Sequence, residues 1–358
     1  MGLKIGGKLN SFIHKVEAEA KKVEQKVEKT VKQAVDKFES NEMVKQGKEF
    51  LQATADSFEQ AVHHRNPADP TVLRDHQGSA QFQVPNGQLF VDGAAPSDVK
   101  QGAAGDCYYL STLASMADTH PDLVQNAIKD NGDGTYTVTF HVPPGFDALK
   151  AIGPTGGLIE GSVLGLSQKL GITPGGKTVQ VTVDGDVPTM NGRNLYARQN
   201  GNENWVGIME KAYAKLWGNY GAMANGGSPS TAMYALTGKP THMHTLTPTS
   251  GLGIKLGNVT PSAAKCNEVF ADLKAATDAG KLVVANTYQS DKQAPAGLVT
   301  GHSYTVLGTS EHDGQRFIQL RNPWGHQEPG ADGRDDGIFE LPIEQFATNY
   351  ASYNVGDV

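Results

Sequence analysis

The chain reads as an α+β protein of two lobes, preceded by a mainly α-helical extension. Three observations predict this. Helix-forming segments come first in the body and strand-forming segments cluster toward its C-terminal end. Residues 1–65 carry a charged amphipathic repeat found nowhere else in the chain. From about Gln81 the composition turns to Gly, Thr, Val and Asn, with most of the 42 glycines. A length of 358 residues allows more than one compact unit. The expected boundaries are an extension at 1–65, a linker at 66–87, a helical lobe at 88–240 and a β-rich lobe at 241–358.

The extension is justified by spacing. Val16, Ala20, Val23, Val27, Val31, Ala34 and Phe38 fall at steps of 4, 3, 4, 4, 3 and 4. That is an eleven-residue repeat, the period of a nearly straight helix with slight right-handed supercoil. Lys and Glu fill the remaining faces. Residues 1–40 hold nine Lys and six acids, so of the total charge of −7 the remainder carries −10. A weaker helical stretch from Asn41 to His63 is ended by Asn66-Pro67. Such a head can pack as surface helices, act as a prosegment or docking arm, or lie on a membrane surface. Val and Ala supply little insertion energy for the last of these.

In the body, Cys107 to Ala117 reads as a buried helix with Leu110, Leu113, Ala114 and Ala117 on one face. Val124–Lys129 reads as a second helix, Gly134–Val142 as an alternating strand, Gly153–Gly176 as loop and Lys177–Pro188 as a strand. Trp205–Gly218 is a helix ended by glycine. LVVANTY, HSYTVLGTSE, QRFIQLRNP and DGIFELPIEQF read as strands.

Composition excludes several function classes. Hydrophobic residues are 38% and aromatics 7%, and no apolar stretch approaches the ~20 residues of a spanning helix. There is no basic footprint for nucleic acid. Two cysteines exclude a disulfide framework. The N-terminus lacks a signal-peptide pattern, and Gly6 stands where a myristoylation signal needs Ser or Thr. The expected compartment is the cytoplasm.

Three separated motifs carry chemistry. QGAAGDCYYL sets Cys107 after two glycines at a helix start, where the dipole favours a thiolate of lowered pKa. GHSYTVLG sets His302 at the start of a strand, and RNPWG sets Asn322 twenty residues on, at hairpin distance. A thiolate nucleophile needs a base and a group to orient that base. An Asn amide oxygen accepting from the imidazole holds the ring in one tautomer, and Trp324 can shield that bond from water. Cys266, in helix-like surroundings, reads as a core residue. The order Cys, His, Asn is that of a papain-like hydrolase.

These motifs, with NWVGIMEKAYAKLWGNYGAM, LFVDGAAPSDVKQG, VTVDGDVPTMNG and DGIFELPIEQF, resemble the catalytic core of the calpain cysteine proteases over roughly residues 88–350. The resemblance implies a two-lobed papain-like protease core that acts on protein or peptide substrates. It implies Cys107 as nucleophile, His302 as general acid/base, Asn322 as its orienter, and Gln101 with the Cys107 backbone N–H as oxyanion donors. Tyr108 departs from the tryptophan usual there, so altered cleft packing is expected. The calpain β-sandwich and EF-hand domains are expected to be missing, as in a bacterial calpain. The resemblance also implies calcium in each lobe. Val91, Gly93, Asp98 and Glu203 match the first site; Glu328 and Asp336 match the second, with Asp335 or Asp332 as substitutes. There Ile338 stands in place of a glutamate. Other readings stay open: a calcium-responsive binding protein that does not cut, a chain whose helical head docks on a membrane or filament, and acyl transfer to an amine.

Overall fold

The computed structural model describes residues 69–143, 146–147, 176–224, 226–246, 261–289, 294–330 and 333–358. The expectations for the 1–65 extension, for most of Gly153–Gly176 and for Asp332 lie outside the described residues. Among the described residues no helix is long and apolar enough to cross a membrane.

The first part of the body comprises β1 (Gln81–Gln83), α1 (Cys107–Thr119), α2 (Pro121–Ala127), β2 (Ile128–Asp130), β3 (Thr135–Val142), β4 (Lys177–Asp184), β5 (Val187–Met190), β6 (Arg193–Asn194), α3 (Trp205–Trp217), α4 (Tyr220–Met223) and α5 (Pro229–Thr237). The second comprises β7 (Thr241–Thr245), α6 (Ala263–Asp278), β8 (Leu282–Thr287), β9 (Ser303–His312), β10 (Gln315–Arg321), β11 (Ile338–Pro342), α7 (Ile343–Asn349) and β12 (Tyr350–Gly356). Two small antiparallel sheets, β1-β5-β6 and β2-β3-β4, flank the helices. One antiparallel sheet in the order β11-β10-β9-β8-β12-β7 forms the second lobe. The fold is therefore α+β.

Helix α1 is buried on every side from Tyr108 to Ala117, not on one face alone. A helix apolar all round belongs in an interior. Its few hydroxyls are used: Thr112 Oγ1 donates to Tyr108 O at 2.8 Å, while Ser111 and Ser115 reach the other lobe. Leu110, Leu113 and Ala114 share one core with α3, α5, β3 and β4. A second core gathers α6 and α7 on the large sheet, with Cys266 buried in it.

Several boundaries differ from the sequence reading, each for a local reason. The helix expected at Val124 starts at Pro121, which suits a first turn, and Ile128 leaves it to pair with Val138. The strand expected at 177–188 breaks at Gly185-Asp186 into β4 and β5. The segment DGIFELPIEQF is a strand only to Pro342. Ile343, Phe346 and Ala347 then bury one face of α7 at helical spacing. The β9–β10 hairpin turns on Asp313 and Gly314, both at positive φ (54° and 74°), as a tight primed turn requires. Helix α3 ends at Gly218, whose φ of 108° disfavours other residues.

One buried charge cluster was not foreseen. Lys211 on α3 is fully buried, and its Nζ meets Asp69 Oδ1 at 2.7 Å together with the carboxylates of Asp184 and Asp186. It also donates to Asp186 O at 2.9 Å. The three carboxylates lie close enough to surround a metal ion, but here an ammonium sits among them. Hydrogen bonds and charge from the three acids outweigh the desolvation that would lower the Lys211 pKa, so it is raised. The cluster ties the chain at Asp69 to α3 and to the β4–β5 turn. Removing one partner of such an arrangement strands the others. Lys211→Met is expected to lower stability by about 3–5 kcal/mol in urea unfolding; a change below about 1 kcal/mol would contradict this account of the cluster.

Candidate active site

The loop before α1 is held by close backbone approach. A Cβ on Gly102 would lie 1.9 Å from Tyr196 O, and one on Gly105 would lie 2.2 Å from Ala224 O. Only glycine fits at either position. Gln101 N donates to Pro323 O at 2.8 Å, Ala103 N to Leu195 O at 3.0 Å, and Gly226 N to Gly105 O at 3.1 Å. The loop thus delivers Cys107 to the first turn of α1 with Asp106 as the preceding cap residue.

The thiol does not follow the expectation of a lowered pKa. Burial pushes the Cys107 thiol up, the Ser303 backbone and hydroxyl beside it pull it down, and the Asp106 carboxylate adds to the rise. Desolvation of the charged form is the largest of these effects.

His302 immediately precedes β9. Its backbone N–H donates to Thr287 Oγ1 at 3.0 Å, and Thr287 N donates back to His302 O at 2.9 Å. Gly301, at φ 64°, lets the chain turn into this pairing. The ring Nε2 lies 3.0 Å from Asn322 Oδ1. Asn322 is locked from both ends: Nδ2 donates to Gln327 O at 2.9 Å, and Oδ1 accepts from Trp324 N at 3.1 Å. With the amide oxygen fixed toward the ring, Nε2 must be the donor, leaving Nδ1 unprotonated. The Trp324 ring lies 4.9 Å from the imidazole and Tyr304 stands edge-on at 5.1 Å. Burial drives the His302 pKa down to about 4, against the Asn322 bond that favours the charged form. The side-chain hydrogen bond His302 makes is to Asn322, not to Cys107.

What relates Cys107 to His302 is the helix. Ser111, one turn beyond Cys107, donates from Oγ to Ser303 O at 2.9 Å, and Thr305 Oγ1 donates to Ser111 O at 2.8 Å. Ser303 is the residue after His302, so the two chemical groups are referenced to one buried contact.

Gln101 is turned inward. Its Nε2 donates to Ala104 O at 2.6 Å and to Asp106 Oδ1 at 3.1 Å, which occupies both N–H bonds. Tyr108 donates to Met223 O at 3.2 Å and covers Gly227 so closely that a Cβ there would lie 2.4 Å from the ring.

Of the residues proposed to hold metal, the first set is assembled. Glu203 Oε1 accepts from Val91 N at 2.7 Å, zipping the 88–93 segment to the turn before α3. Asp98 Oδ2 accepts from Ala95 N at 2.7 Å and from Trp205 Nε1 at 3.1 Å. Gly93 bends this segment at φ 96°. Burial, then the neighbouring Asp98 and Asp92 charges, raise Glu203 to about 7. A buried carboxylate raised by a second one beside it, with backbone carbonyls near, is a donor set of the kind a hard cation takes. The second set is not gathered in this way. Asp335 Oδ1 accepts from Gln327 N at 2.6 Å and Asp336 Oδ1 from Ile338 N at 3.0 Å, so both cap their own loop. Glu328 lies on a separate concavity of about 480 Å³ with Ile338 and Glu340. The three acids do not come within 4.8 Å of one another; among the described residues only Asp69, Asp184 and Asp186 do.

Sequence reasoning missed Glu210 and Arg321. Glu210 accepts from Ala197 N at 3.0 Å and lies in hydrogen-bonding contact with Asp106. Arg321, buried beside Asn322, donates to Val99 O at 2.7 Å. An acid within the nearly all-apolar helix WVGIMEKAYAKLWG was the available signal for Glu210.

Comparison with known proteins agrees with this geometry. The family model described as calpain family cysteine protease matches residues 48–143 and 167–350. Calpain-8 of Mus musculus is 29% identical over 286 residues, covering 73% of this chain and 34% of the relative. Calpain-5 of Caenorhabditis elegans is 29% identical over 315 residues, covering 73% and 43%. The calpain-1 catalytic subunit of Sus scrofa is 28% identical over 256 residues, covering 68% and 29%. The chain spans less than half the length of these relatives. With its cysteine, histidine and asparagine set around one buried helix, the chain belongs to the calpain family of cysteine proteases.

Proposed function

We propose that the protein is a calcium-responsive endopeptidase that cuts protein substrates by a Cys-His-Asn thiolate mechanism. The observation that carries this reading is the locked amide of Asn322, which fixes His302 with Nε2–H donating and Nδ1 open to take a proton. Cys107 Sγ loses its proton to His302 Nδ1 and attacks the scissile carbonyl carbon. The new C–S bond pushes the carbonyl electrons onto oxygen, where the Cys107 backbone N–H and one Gln101 N–H receive them. His302 gives its proton to the leaving amine as the C–N bond breaks. It then takes a proton from water, whose oxygen attacks the thioester carbonyl; the C–S bond breaks, the carboxylic acid product leaves, and His302 returns the proton to Cys107 Sγ.

The inward Gln101 amide and the raised thiol are features of a resting site, which supports a reading in which activity waits on a signal. Asp98 and Glu203, with the carbonyls of Val91 and Gly93, are the residues that would hold calcium. When bound, the ion would supply the positive charge that lets Glu203 ionise beside Asp98 despite its burial.

Casein cleavage in millimolar calcium is the direct test. The wild-type chain is expected to cut and Cys107→Ala to lose all cleavage. Asp98→Asn is expected to raise the calcium requirement more than about tenfold. Cleavage that survives Cys107→Ala would remove the mechanism, and cleavage indifferent to calcium would remove the switch.

Glu203 gives a second test, independent of turnover. Its folded pKa of about 7 lies above the ordinary 4.5, so between these values the native state keeps a proton that the unfolded chain releases. Its contribution to stability is therefore present at low pH and declines as pH rises through that window. Calcium takes the place of the proton, so the thermal stabilisation it gives should be larger at about pH 7.5 than at about pH 5. Glu203→Gln should abolish most of that difference. Equal stabilisation at both pH values in the wild type would contradict the assignment.

A further inference from the structure

Behind the nucleophile lies a pair of carboxyl groups with no cation to neutralise it. Asp106 is fully buried and Glu210 nearly so. Each has one oxygen engaged: Asp106 Oδ1 accepts from Gln101 Nε2, and Glu210 Oε2 accepts from Ala197 N. The remaining oxygens, Asp106 Oδ2 and Glu210 Oε1, are buried without any donor. The two side chains are nevertheless in hydrogen-bonding contact with each other. Two carboxylates so placed cannot both be ionised, and a single proton between them satisfies both orphaned oxygens.

Among the described residues no cation faces the pair. From α1 the pair faces Tyr108, Tyr109 and the Cys107 thiol, from the segment after β6 it faces Tyr196, and from α4 it faces Tyr220. Lys211, the next residue on α3, is spent on Asp69, Asp184 and Asp186. Burial raises both acids, Asp106 to about 6 and Glu210 well above its ordinary value. At neutral pH the pair therefore holds one proton between its two carboxyl groups and carries a single negative charge.

Resting on the protease reading above, we propose that Glu210 is a positioning residue for the oxyanion donor. The shared proton fixes Asp106, and Asp106 in turn anchors one N–H of Gln101 while the other is exchanged from Ala104 O to the oxyanion. A charged acceptor makes the stronger of the two anchors. Losing a donor of this kind outright costs about 100- to 1000-fold in rate, so a donor left badly held should cost less.

The test compares Glu210→Leu with Glu210→Gln in calcium-supported casein cleavage. Leu removes both hydrogen bonds, while Gln can accept from Ala197 N and donate to Asp106. Glu210→Leu is expected to lower kcat about 10- to 100-fold with little change in KM, and Glu210→Gln to recover most of that loss. In a Gln101→Ala background Glu210→Leu should add less than about threefold, because both act through one donor. Full additivity there, or equal damage from Gln and Leu, overturns the proposal. If Glu210→Leu does not fold, the shared proton is read directly by difference infrared spectroscopy of wild type against Glu210→Gln at neutral pH. A carboxylic acid carbonyl band that the variant loses is expected, and its absence overturns the proposal. A wild-type chain that cuts nothing in calcium removes the oxyanion role together with the protease reading, whereas a missing band beside normal cleavage removes the Glu210 proposal alone.

Discussion

The structure depends on a helix that has no free face. Because α1 is apolar from Tyr108 to Ala117 on every side, both lobes must pack against it, and its two serines decide how the second one docks. Ser111 exchanges hydrogen bonds with Ser303 and Thr305 of β9, and Ser115 accepts from Val283 N of β8 at 3.0 Å. A buried hydroxyl left unpaired costs roughly 1–3 kcal/mol, so these contacts specify one register of helix on sheet. Any sliding of the second lobe along α1 would break them together. Cys107 at the start of this helix and His302 just before β9 inherit their relation from that register.

A further contact across the lobes is electrostatic. Arg321 is buried, and burial lowers its pKa to about 10 while the Asp98 and Asp336 charges hold it up. It reaches from the strand that delivers Asn322 to Val99 O, beside Asp98, and Gln101 N reaches back to Pro323 O at 2.8 Å. The segment carrying Asp98 thus abuts the segment carrying Asn322, and neutralising Asp98 changes the field at Arg321, one residue from the partner of His302.

Legibility in the sequence followed the range of the interactions involved. Helices α1 and α3 and strands β3, β8, β9 and β10 were readable because each carries its own periodicity, turn residues or glycine stop. Cys107, His302 and Asn322 were readable as residue types in a workable order. The His302–Asn322 bond was readable too, from the hairpin distance between them, but the placement of Cys107 against them was not, since it rests on Ser111 meeting Ser303 192 positions away. Helix α7 was hidden by β11, because the apolar run through Leu341 and Ile343 does not distinguish a strand end from a helix start. Helix α5 and strands β7 and β12 were not foreseen, being short segments whose apolar faces are set by their neighbours. The Lys211 cage and the Asp106–Glu210 pair were illegible for a stronger reason. A buried charge is recognisable only by its partners, and those come from distant parts of the chain.

The electrostatics of the site then explain why a resting geometry can be stable. Burial raises the thiol of Cys107 and lowers the imidazole of His302, so in the arrangement described both groups are neutral and the proton belongs to sulfur. Neither group can charge alone, because each would carry the full desolvation cost. Charging them together is different, since an imidazolium beside a thiolate stabilises it by direct attraction in a medium that screens poorly. The ion pair is therefore a property of alignment and not of either residue. Asp106 works against it, because a carboxylate behind the sulfur opposes a second negative charge there. In the arrangement described, sulfur therefore keeps its proton, because the side-chain hydrogen bond of His302 goes to Asn322 and no imidazolium stands against the thiol.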